Sequence, residues 1–355
     1  MLADFLHVYD ALLAARDYLH IGTHPPGLTL LHYSLLRGLE AAPALVEFAE
    51  FTQPASVQET LRLIGSQARA SGNSFTRIDA AALWWGAMLT QLAVALTVVP
   101  MFLWLRLGGS REAGWRGVVF WPLLPALAVF LPKSDLLYPL IAMTGACCWR
   151  RCWLRQQWWW GLASGIVLCA GMCLSLAFLP VLALIGAQTL CDGRSTAFMR
   201  KVDGGAAGGS DHRPGPDRFG WSSMAGCVAA GLLGAGIVIA LAGMAGLNLL
   251  SVWAWNFSNH ALFYEHNART WWMWLWVNPL ELTLAAGVPV VVALLAGGVG
   301  MALRKDFVGL RRSGLVAFAI VWGLLWLSGK NMGEAARLWI ILMPWLAACF
   351  AGVSA

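Results

Sequence analysis

Apolar runs confine the basic residues of this chain to a few short loops. The runs are of the size that crosses the hydrocarbon core of a bilayer, about 20 helical residues. Of the 24 Lys and Arg, 15 fall in four loops: Arg106 to Arg116, Arg150 to Arg155, Arg194 to Arg218 and Arg304 to Arg312. Segregation of this kind orients a membrane protein with its basic loops in the cytoplasm. Six of the seven His then lie in segments facing the other side. The outer face is therefore where chemistry is expected.

Composition excludes a soluble globular protein. Charged residues make up 12% of the chain, against about 25% in soluble domains, and the mean hydropathy is +0.65. The net charge of +6 reports orientation, because the basic residues are spread over short loops and form no continuous groove for nucleic acid. A nucleotide-driven pump is excluded in the same way: no phosphate-cradling Gly-rich loop occurs. The eight cysteines lie within spans or at their cytoplasmic ends, so no disulfide is expected. Cys148 and Cys152 have a metal-like spacing, but neither a nearby His nor a second pair completes a ligand set.

The expected fold is an all-α polytopic membrane protein with outer-face amphipathic helices and about nine transmembrane helices. The spans are read at about 79–105, 118–132, 135–149, 157–172, 173–190, 222–251, 272–303, 314–329 and 338–354. Residues 157–190 carry no charge and are flanked by Arg155 and Arg194, which requires two passes through the membrane. The Gly-rich, polar stretch at about 191–221 reads as a flexible cytoplasmic linker within the multi-span domain 79–355. Residues 1–78 form a separate outer-face region. Their density of Asp, Glu, Arg and His forbids a span, while Leu28 to Phe48 keeps a helical apolar pattern, as in helices lying on a membrane. Met1 to His20 has acidic residues and no basic leader, so it does not read as a signal peptide.

Ionisable residues at membrane depth cost several kcal/mol unless paired or hydrated, and they mark substrate paths. Four outer clusters carry them. The first is Thr23-His24-Pro25-Pro26-Gly27, where His24 sits in a rigid turn. The second is Pro132-Lys133-Ser134-Asp135. Its acid is read either as a helix cap paired with Lys133 or as a general base or metal ligand. The third runs from Asn256 to Trp276 and holds His260, His266 and Arg269 among tryptophans that also suit an interfacial belt. The fourth is Lys330-Asn331-Met332-Gly333-Glu334 with Arg337. Glu334 and Arg337 are spaced for a mutual ion pair, and Arg337 is also suited to gripping a phosphate with two parallel hydrogen bonds.

Taken in order, these segments resemble bacterial integral-membrane glycosyltransferases of the GT-C superfamily, which includes the protein O-mannosyltransferases and the aminoarabinose transferase of lipid A. The resemblance rests on Thr23-His24-Pro25-Pro26-Gly27, on Pro132-Lys133-Ser134-Asp135-Leu136-Leu137-Tyr138, on Asn259-His260 through Arg269 to Trp274 and Asn278, and on Gly333-Glu334-Ala335-Ala336-Arg337-Leu338-Trp339. It implies a sugar donor carried on polyprenyl phosphate, an acceptor not named by the sequence, and transfer at the outer face of a bacterial inner membrane. Asp135 is the implied catalytic acid. His24, Lys133, His260, Arg269, Lys330, Glu334 and Arg337 are the implied substrate contacts. Metal dependence stays open, with a divalent cation as one alternative. The family places a span and an outer-loop Asp ahead of the His-Pro-Pro turn, and here Asp4, Asp10 and Asp17 are the only nearby acids. The expectation is that this part precedes Met1 or that the chain is a truncated, inactive copy. A transporter or lipid-binding membrane protein is the reading from another class, although charges gathered near one surface suit it less than charges at the midplane.

The charge asymmetry makes a topological prediction. A Cys placed in the Asp192 to Trp221 stretch is shielded from an impermeant thiol reagent in intact cells, and one placed near Asn267 is labelled. The reverse pattern would contradict the outer-face assignment.

Overall fold

Prolines and one capping box divide the front of the chain into helices. Pro25 and Pro26 precede α1 (Gly27–Ala41), Pro43 opens α2 (Pro43–Thr52), and Pro54 precedes α3 (Ala55–Ala70). Each proline stands where its missing N–H costs no helical hydrogen bond. The next helix, α4 (Arg77–Leu96), starts at a reciprocal cap: Asp79 N–H donates to Thr76 Oγ1, and Thr76 N–H donates to the Asp79 carboxylate at 2.7 Å. These observations come from a computed structural model that describes Tyr9 and residues 23–107, 110–203, 221–267, 269–304, 310–329 and 332–353.

Polar contacts bolt the amphipathic layer to α4. Arg77 donates to both carboxylate oxygens of Glu50, at 2.7 and 2.6 Å. Trp84 Nε1 donates to Thr52 Oγ1 and Trp85 Nε1 to the Leu45 carbonyl. Apolar side chains on the outside of this layer stay uncovered, Phe51 being 88% exposed.

The rest of the described chain is largely helical. After α4 come α5 (Val98–Arg106), α6 (Arg111–Val119), a 3-10 turn at Trp121–Leu123, α7 (Pro125–Val129) and a second 3-10 turn at Ser134–Leu137. A hairpin follows: α8 (Tyr138–Arg155) and α9 (Trp158–Leu174), joined at Gln156 in the left-handed conformation. Then come α10 (Phe178–Asp203), α11 (Trp221–Met244), α12 (Leu249–His266), α13 (Trp271–Ala286), α14 (Val288–Arg304) and α15 (Leu310–Leu327). The chain closes with α16 (Ala335–Leu338), a 3-10 turn at Trp339–Leu342 and α17 (Met343–Val353). No strand occurs among the described residues, so the fold is all-α. The main core joins Trp121, Met143, Phe178, Trp339 and Trp345 from four separate stretches of chain.

Two helical stretches are long and apolar enough to cross a bilayer, Arg77–Arg106 and Ser223–Met244. The pair Trp271–Ala286 and Val288–Ala296 makes a third if its 107° bend is counted within one span. The chain is thus a helical, membrane-associated protein, and its described residues hold two or three qualifying spans where nine were read from hydropathy. The shortfall has local causes. Pro122 and Pro125 break the expected 118–132 span into short pieces, because each removes a helical hydrogen bond. The expected 135–149 span begins with a 3-10 turn, and its helix runs on through Arg150 and Arg151. The last expected span likewise opens as a 3-10 turn at Trp339–Leu342. At the other boundary α10 continues to Asp203, so the expected linker is helical at its start, and residues 204–220 lie outside the described residues.

Glycines let α9 and α11 approach backbone to backbone. A Cβ added at Gly165 would lie 1.9 Å from the Gly231 carbonyl oxygen, and one at Gly234 would lie 2.1 Å from the Leu162 carbonyl oxygen. In a bilayer, where lipid is as apolar as leucine, such close van der Waals contact is what drives helices together. Elsewhere α11 leaves Leu232, Leu233 and Leu241 exposed, as suits contact with acyl chains. Gly234→Ala should therefore lower the melting temperature of the detergent-solubilised protein, at an overpacking cost of about 1–3 kcal/mol. Gly236→Ala, which meets nothing within 4 Å, should not lower it; equal losses in the two variants would contradict the backbone contact.

Candidate functional site

Packing carries the His-Pro-Pro-Gly turn to the Asp135 loop. Pro25 and Pro26 are buried, whereas His24 is exposed. Gly27 sits against the end of α9 so closely that a Cβ would lie 2.2 Å from the Cys173 carbonyl oxygen. Beyond α9, Phe178 packs on Gly171 and meets Tyr138 edge to face at 5.7 Å. Tyr138 opens α8 directly after the 3-10 turn that holds Asp135. Tyr9, which is buried, fastens the turn from the other side: its hydroxyl donates to the His24 carbonyl at 2.7 Å and accepts from Asn256 Nδ2 on α12 at 3.4 Å.

Asp135 does not cap a helix and does not pair with Lys133. Neither the 3-10 turn nor α8 has a side-chain cap, and Lys133 is exposed. The carboxylate instead faces Arg337, with Oδ2 3.5 Å from Nε and side-chain exposures of 15% and 27%. Arg337 Nη2 also donates to Glu334 Oε1 at 3.1 Å. One guanidinium therefore joins two acids, one from the loop before α8 and one from the segment before α16.

The Asp135–Arg337 contact is electrostatic and longer than a good hydrogen bond. The Arg337 Nε–H is buried and makes no hydrogen bond. Burial pushes the Asp135 carboxyl above the ordinary carboxylate range; Arg337 and then His24 pull it down, while Glu334 adds to the rise. Because the net direction is upward, desolvation outweighs the attraction to Arg337. The cluster thus sets a buried donor with no hydrogen bond beside a desolvated carboxylate.

A face of α13 forms the wall next to this cluster. Trp274, Asn278 and Glu281 are spaced i, i+4, i+7 and so share one side of the helix. A Cβ on Gly333 would meet Arg269 Nη1 at 2.7 Å and Trp274 at 2.9 Å, and Gly333 has φ +80°, a conformation glycine adopts without strain. Arg269 lies over the Trp274 ring, 5.8 Å from its centroid. At the other end Glu281 Oε2 accepts from Ala336 N–H at 3.5 Å. Asn278, between them, is buried with neither amide atom hydrogen-bonded. The sequence reading did not count it as a site residue. The available signal is an amide directly before Pro279 in an apolar helix.

The structure thus gathers Asp135, Glu334 and Arg337 directly, brings His24 within electrostatic range of Asp135 and sets Arg269 against Gly333. His260 stacks on Tyr264 of its own helix at 5.3 Å, with Nδ1 buried and unpartnered. Lys330 lies outside the described residues, as do Asp4, Asp10 and Asp17. Among the described residues no three His, Cys, Asp or Glu side chains come together to hold a metal ion. Comparison with known proteins finds no matching family model, no similar curated protein and no similar solved structure.

Proposed function

We propose that this chain is a membrane glycosyltransferase that moves a sugar from a polyprenyl-phosphate carrier to an acceptor on the side opposite its basic loops. One observation carries the reading: a desolvated carboxylate, Asp135, held beside a guanidinium whose Nε–H is buried and unfilled. In the nine-span topology of this reading, the segments 118–132 and 135–149 and the shorter apolar helices Trp158–Leu174, Phe178–Asp192, Gly314–Leu327 and Ala335–Cys349 join the three qualifying stretches in a bacterial inner membrane. The cluster then opens outward.

The chemistry is a single displacement at the anomeric carbon. The acceptor's nucleophilic atom bonds to that carbon as the bond to the phosphate oxygen breaks. The acceptor's proton passes to Asp135, for which burial is an advantage because it raises the basicity of the carboxylate. The electron pair of the broken bond stays on the phosphate, whose growing charge Arg337 and Arg269 meet. Glu334 orients Arg337, His24 adds positive charge near the carboxylate, and Asn278 offers buried polar atoms toward the sugar. Lys133, His260 and Lys330 are further substrate contacts in this reading. A transporter using the same cluster would bind the carrier and transfer nothing.

Arg337→Lys keeps the charge and loses the planar fork, so binding of a short-chain polyprenyl phosphate to the purified protein should weaken about tenfold. Glu334→Gln should bind nearly as well as the unaltered protein. Unchanged binding in both Arg337→Lys and Arg337→Ala would end the phosphate assignment.

Asp135→Asn should keep carrier binding and cut transfer by about 10²–10⁴-fold. The acid limb of the pH profile should lie above the ordinary carboxylate range, since only ionised Asp135 accepts the proton. The stability sign is opposite to that of a stabilising ion pair. A raised folded-state value means that ionised Asp135 weakens the fold above the unfolded value, and the penalty disappears as pH falls through the folded one. Melting of Asp135→Asn at neutral pH should therefore match or exceed that of the unaltered protein; near-normal transfer, or a clear drop in melting temperature, would return Asp135 to a structural role.

A further inference from the structure

A second site lies in the amphipathic layer, apart from the Asp135 cluster. Between α2, α3 and the start of α4 is a cavity of about 450 Å³ whose walls carry Arg62, Arg69, Arg77, Glu50 and Gln53. Arg62 and Arg69 are spaced i, i+7 on α3, two helical turns apart on one face, with Gly65 between them. At Gly65 a Cβ would lie 3.0 Å from Phe75, so glycine leaves this wall open. Both oxygens of Glu50 accept from Arg77, which neutralises the only acid in the wall. Arg62 and Arg69 remain, and neither forms an ion pair among the described residues. Gln53 is nine-tenths buried at the same cavity, and its Nε2 has no hydrogen-bond partner. A buried donor without an acceptor is unfavourable, and an oxygen anion drawn in by two guanidiniums would supply one.

We propose that this cavity binds a phosphate group, with Arg62 and Arg69 holding its oxygens and Gln53 donating from the inner wall. Its place in the fold favours a phosphate presented by a lipid headgroup. The cavity lies at the end of Arg77–Arg106 opposite Arg106, and the same two amphipathic helices expose Phe48, Phe51, Leu63 and Ile64. Those side chains enter the acyl boundary while the guanidiniums stay at headgroup level, as in interfacial helices. Phosphate, tetrahedral and rich in oxygens, takes two parallel hydrogen bonds from a planar guanidinium, which a lone lysine cannot offer. The proposal is independent of glycosyl transfer.

Purified full-length protein in neutral detergent is titrated with dihexanoyl phosphatidylglycerol and, separately, with inorganic phosphate, and melting temperature is followed. The unaltered protein should be stabilised in a saturable way. Arg62→Gln/Arg69→Gln should bind at least about tenfold more weakly, Arg62→Lys/Arg69→Lys should fall between, and Arg37→Gln, outside the cavity, should match the unaltered protein. Tighter binding of the lipid assigns the phosphate to a headgroup; equal binding of inorganic phosphate assigns it to a free anion at the same site. Absent saturation with both probes, full binding in Arg62→Gln/Arg69→Gln, or an equal loss in Arg37→Gln would overturn the proposal.

Discussion

Asp135 is a carboxylate withdrawn from water by the surrounding helices, and Arg337 is the cation that makes this withdrawal tolerable. The two come from distant parts of the chain, one from the loop that opens α8 and the other from the short helix that precedes the last apolar stretch. Their contact is loose, at 3.5 Å, and the attraction does not fully offset desolvation. A structural ion pair gains most from tight, fully hydrogen-bonded geometry. This one leaves a basic carboxylate and an unfilled donor side by side, an arrangement better suited to receiving a ligand than to stabilising a fold.

The surrounding architecture serves that juxtaposition. Gly27 against Cys173, Phe178 against Gly171, and Tyr138 against Phe178 form a packed line from the His24 turn to the Asp135 loop. On the other side, Gly333 admits Arg269 and Trp274 at distances that no other residue would allow. Farther away, the glycine contacts of α9 with α11 fix the hairpin whose first helix begins at Tyr138. The closest contacts therefore hold the polar loops in place, and apolar side chains are left for lipid.

Local chemistry was the legible part of the sequence. All-α class, the amphipathic front layer and the His24, Asp135 and Arg337 segments follow from periodicity, proline placement and misplaced charge. The pairing of Asp135 was not legible. Lys133 is its neighbour in sequence, but it points to solvent, and the true partner is set by tertiary packing. Hydropathy registers apolar content and not where helices break, so the hydrogen bonds lost at Pro122 and Pro125 and the bend at Gly287 were not legible. Asn278 escaped because one amide in an apolar helix carries little signal until its unfilled partners are seen. Arg62 and Arg69 were not singled out in the sequence, since only the fold shows a cavity between them.

The central claim is that Asp135 and Arg337 work as one unit on a phosphate-linked sugar. A double-mutant cycle on the transfer rate tests it most directly, using Asp135→Asn, Arg337→Gln and the double variant in the full-length protein. Groups that act together are strongly non-additive, so the double variant should be about as slow as the slower single variant. Fully additive losses, or single variants with unaltered rates, would contradict it.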